Sequence, residues 1–172
     1  MKVILLMALT VDGMISRNQK HFPDWTGSAD KQLFKKASLE AGVLIMGSKT
    51  FDTIGKPLPG RKNVILTRDP TRQSQWDNLV FTDQNTPDLL RQLESEGFRK
   101  VVLAGGARIN TLFARQNLID EIHVTYSPIV FGTGVSLFSE KMQMNLRLID
   151  FSRIGEDRIF VRYEVVKERT KA

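Results

Sequence analysis

Asp30 is the residue of this sequence best placed for acid–base chemistry. In SADKQLFKKAS, Asp30, Leu33, Phe34 and Ala37 stand at i, i+3, i+4 and i+7, so they share one face of a helix. A carboxylate at the head of an apolar stripe loses water, and that loss disfavours its charged form unless a cation or a hydrogen-bond donor compensates. The plainer alternative is an acid that favours the positive end of a helix dipole, with Ser28 as the N-cap. Periodicity alone leaves both open.

Three other groups have the chemistry of ligand contacts. The run GVLIM leads into Gly47, Ser48, Lys49 and Thr50, and VVLA leads into Gly105 and Gly106, ahead of a helix holding Ile109, Leu112 and Phe113. Glycine admits a ligand close to the backbone, and the free amides of a helix start attract phosphate. Two such junctions in one sheet suit a pyrophosphate held between strand ends; neither is a GxGxxG fingerprint, and a glycine can also serve only its turn. Arg68, just past NVILT, suits a 2′-phosphate, with Lys49 possible support, while the adjacent Asp69 suits a ribose hydroxyl instead. In Pro57-Leu58-Pro59-Gly60-Arg61 two prolines stiffen the loop that presents Arg61, which suits a bound carboxylate or is simply an exposed arginine on a rigid turn.

The composition excludes several other chemistries. There is no cysteine among the 172 residues, hence no thiol nucleophile, no disulfide framework and no thiolate metal site. Two histidines, His21 and His123, give no ligand-spaced metal cluster, and no GxSxG elbow is present. The 25 basic residues exceed the 19 acidic ones by six, but they form no dense block interleaved with aromatics. A small anionic ligand is therefore expected rather than nucleic acid. The apolar run Val3 to Leu9 is too short for a membrane span and lacks a cleavage site, so it is read as a buried strand. A cytoplasmic enzyme without membrane attachment is the expectation.

The elements that must position these residues follow from the apolar pattern. Buried strands at VILLMAL, GVLIM, NVILT, LVF and VVLA are separated by helices at about Ser28–Glu40, after Gly47, at Thr86–Glu96 and at Ala107–Gln116. Such alternation predicts a parallel sheet covered on both faces. The last segments, EIHVTYSPIV, LRLIDFSRI and RIFVRYEVV, have no helix between the final two, and Gly155-Glu156-Asp157 marks a hairpin turn. The expected fold is one α/β domain over residues 1–172. It has three layers, with a central, mostly parallel sheet of about eight strands, an antiparallel C-terminal hairpin and helices on both faces.

In their order along nearly the whole chain, these segments resemble dihydrofolate reductase. GSKTFDTIGKPLPGRKNVILTR is similar to that family's most distinctive run, VVLAGGARI to its diglycine segment, and IDEIHVT to the strand that follows. ALTVDGMIS and DW…ADKQLFKK match its first strand, mobile loop and substrate helix. The resemblance implies NADPH-dependent reduction of dihydrofolate. Asp30 would hold the pterin and set its protonation, with Trp25 beside it and Thr125 supporting the acid. Leu6, Met7, Ala8, Phe34, Ile54 and Leu58 would line the substrate, and Arg61 would clamp the glutamate carboxylate. Ala8, Ile15, Gly47, Ser48, Lys49, Thr50, Leu66, Thr67, Arg68, Ala104, Gly105, Gly106, Ala107, Arg108 and Ile109 fall at NADPH positions, and the diglycine peptide would be cis.

The sequence departs from that pattern at several points. Ser48 replaces an arginine that often helps bind the 2′-phosphate, Asn110 an aromatic residue and Ala104 a larger aliphatic one; the loop RNQKHFPDW is long. GGARIN and LIDEIHV…PIVFGTGVSLF also resemble the reductase domain of riboflavin biosynthesis, which acts on a pyrimidine ribosylphosphate and has no use for PLPGR. Reduction of an unconjugated pterin and a non-catalytic nucleotide-binding module are the remaining alternatives. The apolar segment PIVFGTGVSLF is either ordinary core or the face of a homodimer; monomer and homodimer both stand.

Overall fold

Each apolar run in the first two thirds of the chain becomes a strand of one sheet, covered on both faces except at its edge, where Val80 is exposed. In the computed structural model, which describes residues 1–18 and 23–167, β1 is Lys2–Thr10, β2 Met14–Ser16, α1 Gly27–Ala41, β3 Val43–Gly47 and α2 Ser48–Ile54. Then come β4 Lys62–Leu66, β5 Leu79–Thr82, α3 Thr86–Ser95, β6 Lys100–Leu103, α4 Ala107–Arg115, β7 Glu121–Ser127, β8 Val135–Ser136, β9 Asn145–Ile154 and β10 Arg158–Val166. The main sheet has eight strands in the order β5-β4-β3-β6-β1-β7-β10-β9. Pairing is parallel from β5 through β7 and antiparallel where β10 meets β7 and β9.

The architecture is the expected three-layer α/β fold. Leu33, Phe34, Ala37 and Ala41 of α1, with Phe51 and Ile54 of α2, cover one face of the sheet, against Leu6, Leu44, Met46 and Ile65. Leu89, Leu90 and Leu93 of α3 and Phe113 and Ala114 of α4 cover the other, against Val3, Leu5, Ile45 and Leu103. Strand alternation therefore sends Leu6 toward α1 and Leu5 toward α4.

Some boundaries differ from the sequence reading. Helix α1 begins at Gly27, and its N-cap position is Thr26 rather than Ser28, because Gly27 at φ +79° supplies the turn into the helix. The small β2–β8 pair was not expected; two- and three-residue strands carry too little periodicity to be read. Leu137 and Phe138 pack on the core while Val130 is exposed. The larger exposed apolar face lies on the hairpin at Leu148, Phe151 and Ile159. No helix among the described residues is long and apolar enough to cross a membrane. His21 and the tail from 168 onward lie outside the described residues.

Phe113 is fully buried and anchors α4, the helix that follows the diglycine. Phe113→Ala is expected to lower unfolding free energy by about 3–5 kcal/mol through lost burial and a residual cavity, measured by urea denaturation.

Candidate active site

The acid of α1 is brought against the face of β1 and β7. In the parallel register Ala8 lies beside Thr125 and Leu6 beside His123. Asp30 is 9 % exposed. Burial raises its pKa above the ordinary carboxylate value, and the hydroxyls of Thr125 and Thr26, then the charges of Arg158 and Lys31, oppose that rise. Thr125 Oγ1 is shut from solvent and forms no complete hydrogen bond among the described residues. It therefore faces the carboxylate as a polar neighbour rather than as a formed bond.

An apolar wall continues from the acid. Leu33, Phe34, Ile54, Leu58 and Phe160 are partly buried against the cluster that contains Leu6. Trp25 meets Phe131 edge-to-face with ring centroids 5.3 Å apart, and its indole Nε1 is buried without a partner among the described residues. The guanidinium of Arg17 lies 4.1 Å from the centre of the Phe131 ring. Asp12 ties this region down: it accepts from Thr10 Oγ1 at 2.5 Å and from the Gly132 amide at 2.7 Å, which links the loop after β1 to the segment ahead of β8.

Arg61 sits beyond this wall, 6 % exposed. Its Nε donates to the Pro59 carbonyl at 3.0 Å, and its Nη1 donates to the Lys35 carbonyl at 3.3 Å and to Ser38 Oγ. It is thus turned inward under α1 rather than held out on the loop. Asn63, fully buried at the start of β4, fixes that loop: it accepts from the Leu58 amide at 2.9 Å and donates to the carbonyls of Leu58 and Arg61, each at 2.9 Å.

The second set of residues gathers at the carboxyl ends of β3, β4 and β6. The Gly47 amide donates to the Gly105 carbonyl at 2.8 Å, and the Gly105–Gly106 peptide is cis. A Cβ on Gly47 would lie 2.9 Å from Ile109 Cγ1, and one on Gly106 would lie 3.3 Å from Thr50 Oγ1. These two glycines let the starts of α2 and α4 close on one another, with Ser48 and Ala107 at their first positions. The Gly106 cap has no side chain to occupy the first amides of α4. Lys49, Arg68 and Arg108 are exposed around this junction, Leu66 and Ala104 are buried beneath it, and the Thr67 amide bonds Thr82 at 2.9 Å. This is the crevice outside parallel strand ends where nucleotides bind in open sheets, and the bare backbone fits a pyrophosphate. Asp69 accepts from the Thr71 amide and hydroxyl, so its carboxylate is engaged in its own turn.

Met7 is the expected substrate residue that falls elsewhere. Its side chain lies on the α4 face, where a Cβ on Gly105 would meet its Sδ at 3.1 Å, because neighbours on a strand point to opposite faces. Ile15 of β2 packs against that same cluster. His123 is buried, its pKa lowered by burial, and Nε2 lies 2.8 Å from Glu121; it belongs to the sheet, as expected. The sequence reading missed Ser38, Asn63 and Arg158, which hold the site through other residues. Asn63 left a trace, a polar residue inside an apolar strand.

Known proteins share this fold. The family model described as RibD C-terminal domain matches residues 1–160. Dihydrofolate reductase type 3 of Salmonella typhimurium is 37% identical over 126 residues, covering 73% of this chain and 72% of that protein. The uncharacterized protein YyaP of Bacillus subtilis is 25% identical over 167 residues, 87% of each. Among solved structures, a putative riboflavin biosynthesis protein from Shewanella sp. PV-4 superposes with TM-score 0.82 at 25% identity, covering 97% of this chain and 100% of that one. RibD of Acinetobacter baumannii gives TM-score 0.82 at 19% identity, over 96% of this chain and 58% of that one, a likeness of fold.

A raised carboxylate pKa has a stability signature. The protonated form of Asp30 folds without penalty, and the charged form is penalised as pH rises through the folded pKa. Asp30→Asn should therefore melt near the parent's temperature around pH 4, close to the unfolded carboxylate pKa, and above it at neutral pH. Scanning calorimetry at both pH values checks this; a gap that does not grow with pH contradicts a raised pKa.

Proposed function

The chain belongs to the RibD C-terminal domain family, and we propose that it is an oxidoreductase of the NADPH-using kind whose substrate is 7,8-dihydrofolate. That substrate, reduced to tetrahydrofolate by one unit over residues 1–172, rests on the site residues and not on the family. The observation that carries this reading is the buried acid, Asp30, at the head of an apolar wall, on a sheet whose strand ends also form a glycine-lined crevice. A module that only bound nucleotides would have no use for a desolvated carboxylate there.

NADPH, when bound, supplies the hydride. Gly47, Ser48, Lys49, Thr50, Leu66, Thr67, Arg68, Ala104, Gly105, Gly106, Ala107, Arg108 and Ile109 would hold it, with Ala8 and Ile15 on its nicotinamide side. Arg68 and Lys49 would take the 2′-phosphate that Ser48 leaves unclaimed. Asp30 accepts hydrogen bonds from the amino group and ring nitrogen of the substrate's pyrimidine edge. Its raised proton affinity lets it take up a proton from solvent. One oxygen then still accepts from the amino group, while the proton passes, through a water that Trp25 Nε1 is free to orient, to the ring nitrogen that is to be reduced. Leu6, Phe34, Ile54 and Leu58 exclude bulk solvent and seat the flat ring, and Arg61 offers its remaining nitrogen to the glutamate carboxylate.

A second reading is reduction of a pyrimidine ribosylphosphate in riboflavin synthesis. The family match over residues 1–160 and the likeness to a riboflavin biosynthesis protein support it at least as well as they support dihydrofolate.

NADPH oxidation with each substrate separates the two, and absence of turnover with dihydrofolate sinks the main reading. With the productive substrate, Asp30→Asn is expected to cut kcat about a hundredfold or more at neutral pH, while the NADPH Kd from fluorescence titration changes little. Arg61→Met should raise the KM for dihydrofolate about tenfold and leave that for a dihydropterin without glutamate unchanged. Equal changes for both would remove the clamp role.

A further inference from the structure

Arg158 opens β10, and its guanidinium lies over the entrance to α1. A Cβ on Gly27 would stand 2.8 Å from its Cζ and 2.9 Å from its Nη2, so the first residue of the helix is bare where the arginine passes. Nη2 donates to the Trp25 carbonyl at 3.4 Å, and Nη1 pairs with Asp157 at 2.5 Å. The side chain is 20 % exposed, and Nε is shut away without a partner among the described residues. A surface arginine in a hairpin would not be held in this way.

Three more buried polar atoms near it lack a partner among the described residues: Trp25 Nε1, Thr125 Oγ1 and Ser127 Oγ. In the β7–β10 ladder Phe160 pairs with Thr125 and Ile159 with Tyr126, so Arg158 and Ser127 come next along it. Buried polar groups left unpaired in this way mark a place for ordered water. Of the charged groups, Arg158 reaches Asp30 from β10 and Lys31 from its own helix. On that face β1 presents Leu6 and Ala8, and β7 presents Thr125 and His123, whose ring is engaged by Glu121.

We propose that Arg158 is a positioning residue for the acid: it holds the Trp25–Gly27 turn that carries Asp30, and across a hydrated gap it supplies the β10 cation that lets the buried carboxylate ionise. The inference rests on Asp30 as the proton donor. A donor must give up its proton and regain it in each turnover, so its charged form has to be attainable in a dry setting. A cation near but not bonded to it provides this without occupying the oxygens that the substrate needs.

The test follows the Asp30 carboxyl by carbon NMR through a pH titration of the full chain, its signal assigned by its loss in Asp30→Asn. Removing the charge in Arg158→Met is expected to raise the titration midpoint by about half a pH unit or more; Arg158→Lys should recover most of that shift. The alkaline limb of the kcat profile should move upward with it. A folded Arg158→Met whose midpoint is unmoved overturns the proposal, as does an Arg158→Lys no closer to the parent than the methionine variant. Should Arg158→Met fail to fold, Arg158→Gln, neutral and shorter but still a hydrogen-bond donor, is read in the same way. The titration needs no substrate, so a chain inactive on dihydrofolate that still shows the shift would refute that substrate and leave the Arg158 assignment standing.

Discussion

A carboxylate taken out of water sets the terms for everything around it. Desolvation alone would drive Asp30 toward its neutral form, and the elements nearby soften that without cancelling it. Thr26 comes from the turn into α1, Thr125 from β7 and Arg158 from β10, so three separate parts of the chain must meet at one point. The sheet order makes this possible, since β7 lies between β1 and β10 and presents Thr125 to the face that α1 covers. None of the three makes an ion pair with the acid. Full neutralisation by a bonded arginine would leave a strong anion with no proton to give, and complete isolation would leave an acid unable to ionise.

The opposite demand holds at the glycine-lined crevice, where backbone rather than side chain is exposed. Gly47 and Gly106 matter there for the space they leave, as the 2.9 Å and 3.3 Å approaches of a hypothetical Cβ make plain. The Gly47–Gly105 hydrogen bond then closes the ends of β3 and β6. A desolvated acid and a bare, amide-rich crevice lie on the same edge of the sheet. Parallel strands produce that convergence by themselves, because every loop that follows such a strand leaves from the same end.

Much of this was legible in the sequence, and the failures have physical causes. Continuous apolar runs such as GVLIM and VVLA became β3 and β6 because strands buried on both faces need no alternation. The Asp30–Leu33–Phe34–Ala37 spacing placed the acid on the buried face of α1, where the helix-dipole reading would have left it exposed. The β2–β8 pair was illegible because it is too short to carry a period. Met7 was misplaced because a match to family positions does not say which way a strand residue points. Arg158 and Asn63 were missed because their contacts bridge residues 133 and up to 15 positions apart, which no local pattern encodes.

The substrate question turns on how a guanidinium is shared. Arginine has five N–H donors in a fixed plane, and those of Arg61 on Nε and Nη1 are drawn to Pro59, Lys35 and Ser38. What remains is the Nη2 edge of the fork, one nitrogen with two N–H donors, in a residue that burial has largely hidden from water. Among the described residues its partners are three neutral acceptors, which offset part of the desolvation cost of the guanidinium; a ligand carboxylate or phosphate at this end of the wall would offset more. The inward bonds argue that the anion is met by a preset, single-edged contact rather than an open bidentate clamp. A glutamate on a long aminobenzoyl arm would reach such an edge from the direction of Leu58. A ribosylphosphate, shorter and more strongly charged, would have to draw on the exposed cations at the cofactor end instead. On the proposed reading, Arg61 would separate the two substrates by where along the wall their negative charge comes to rest.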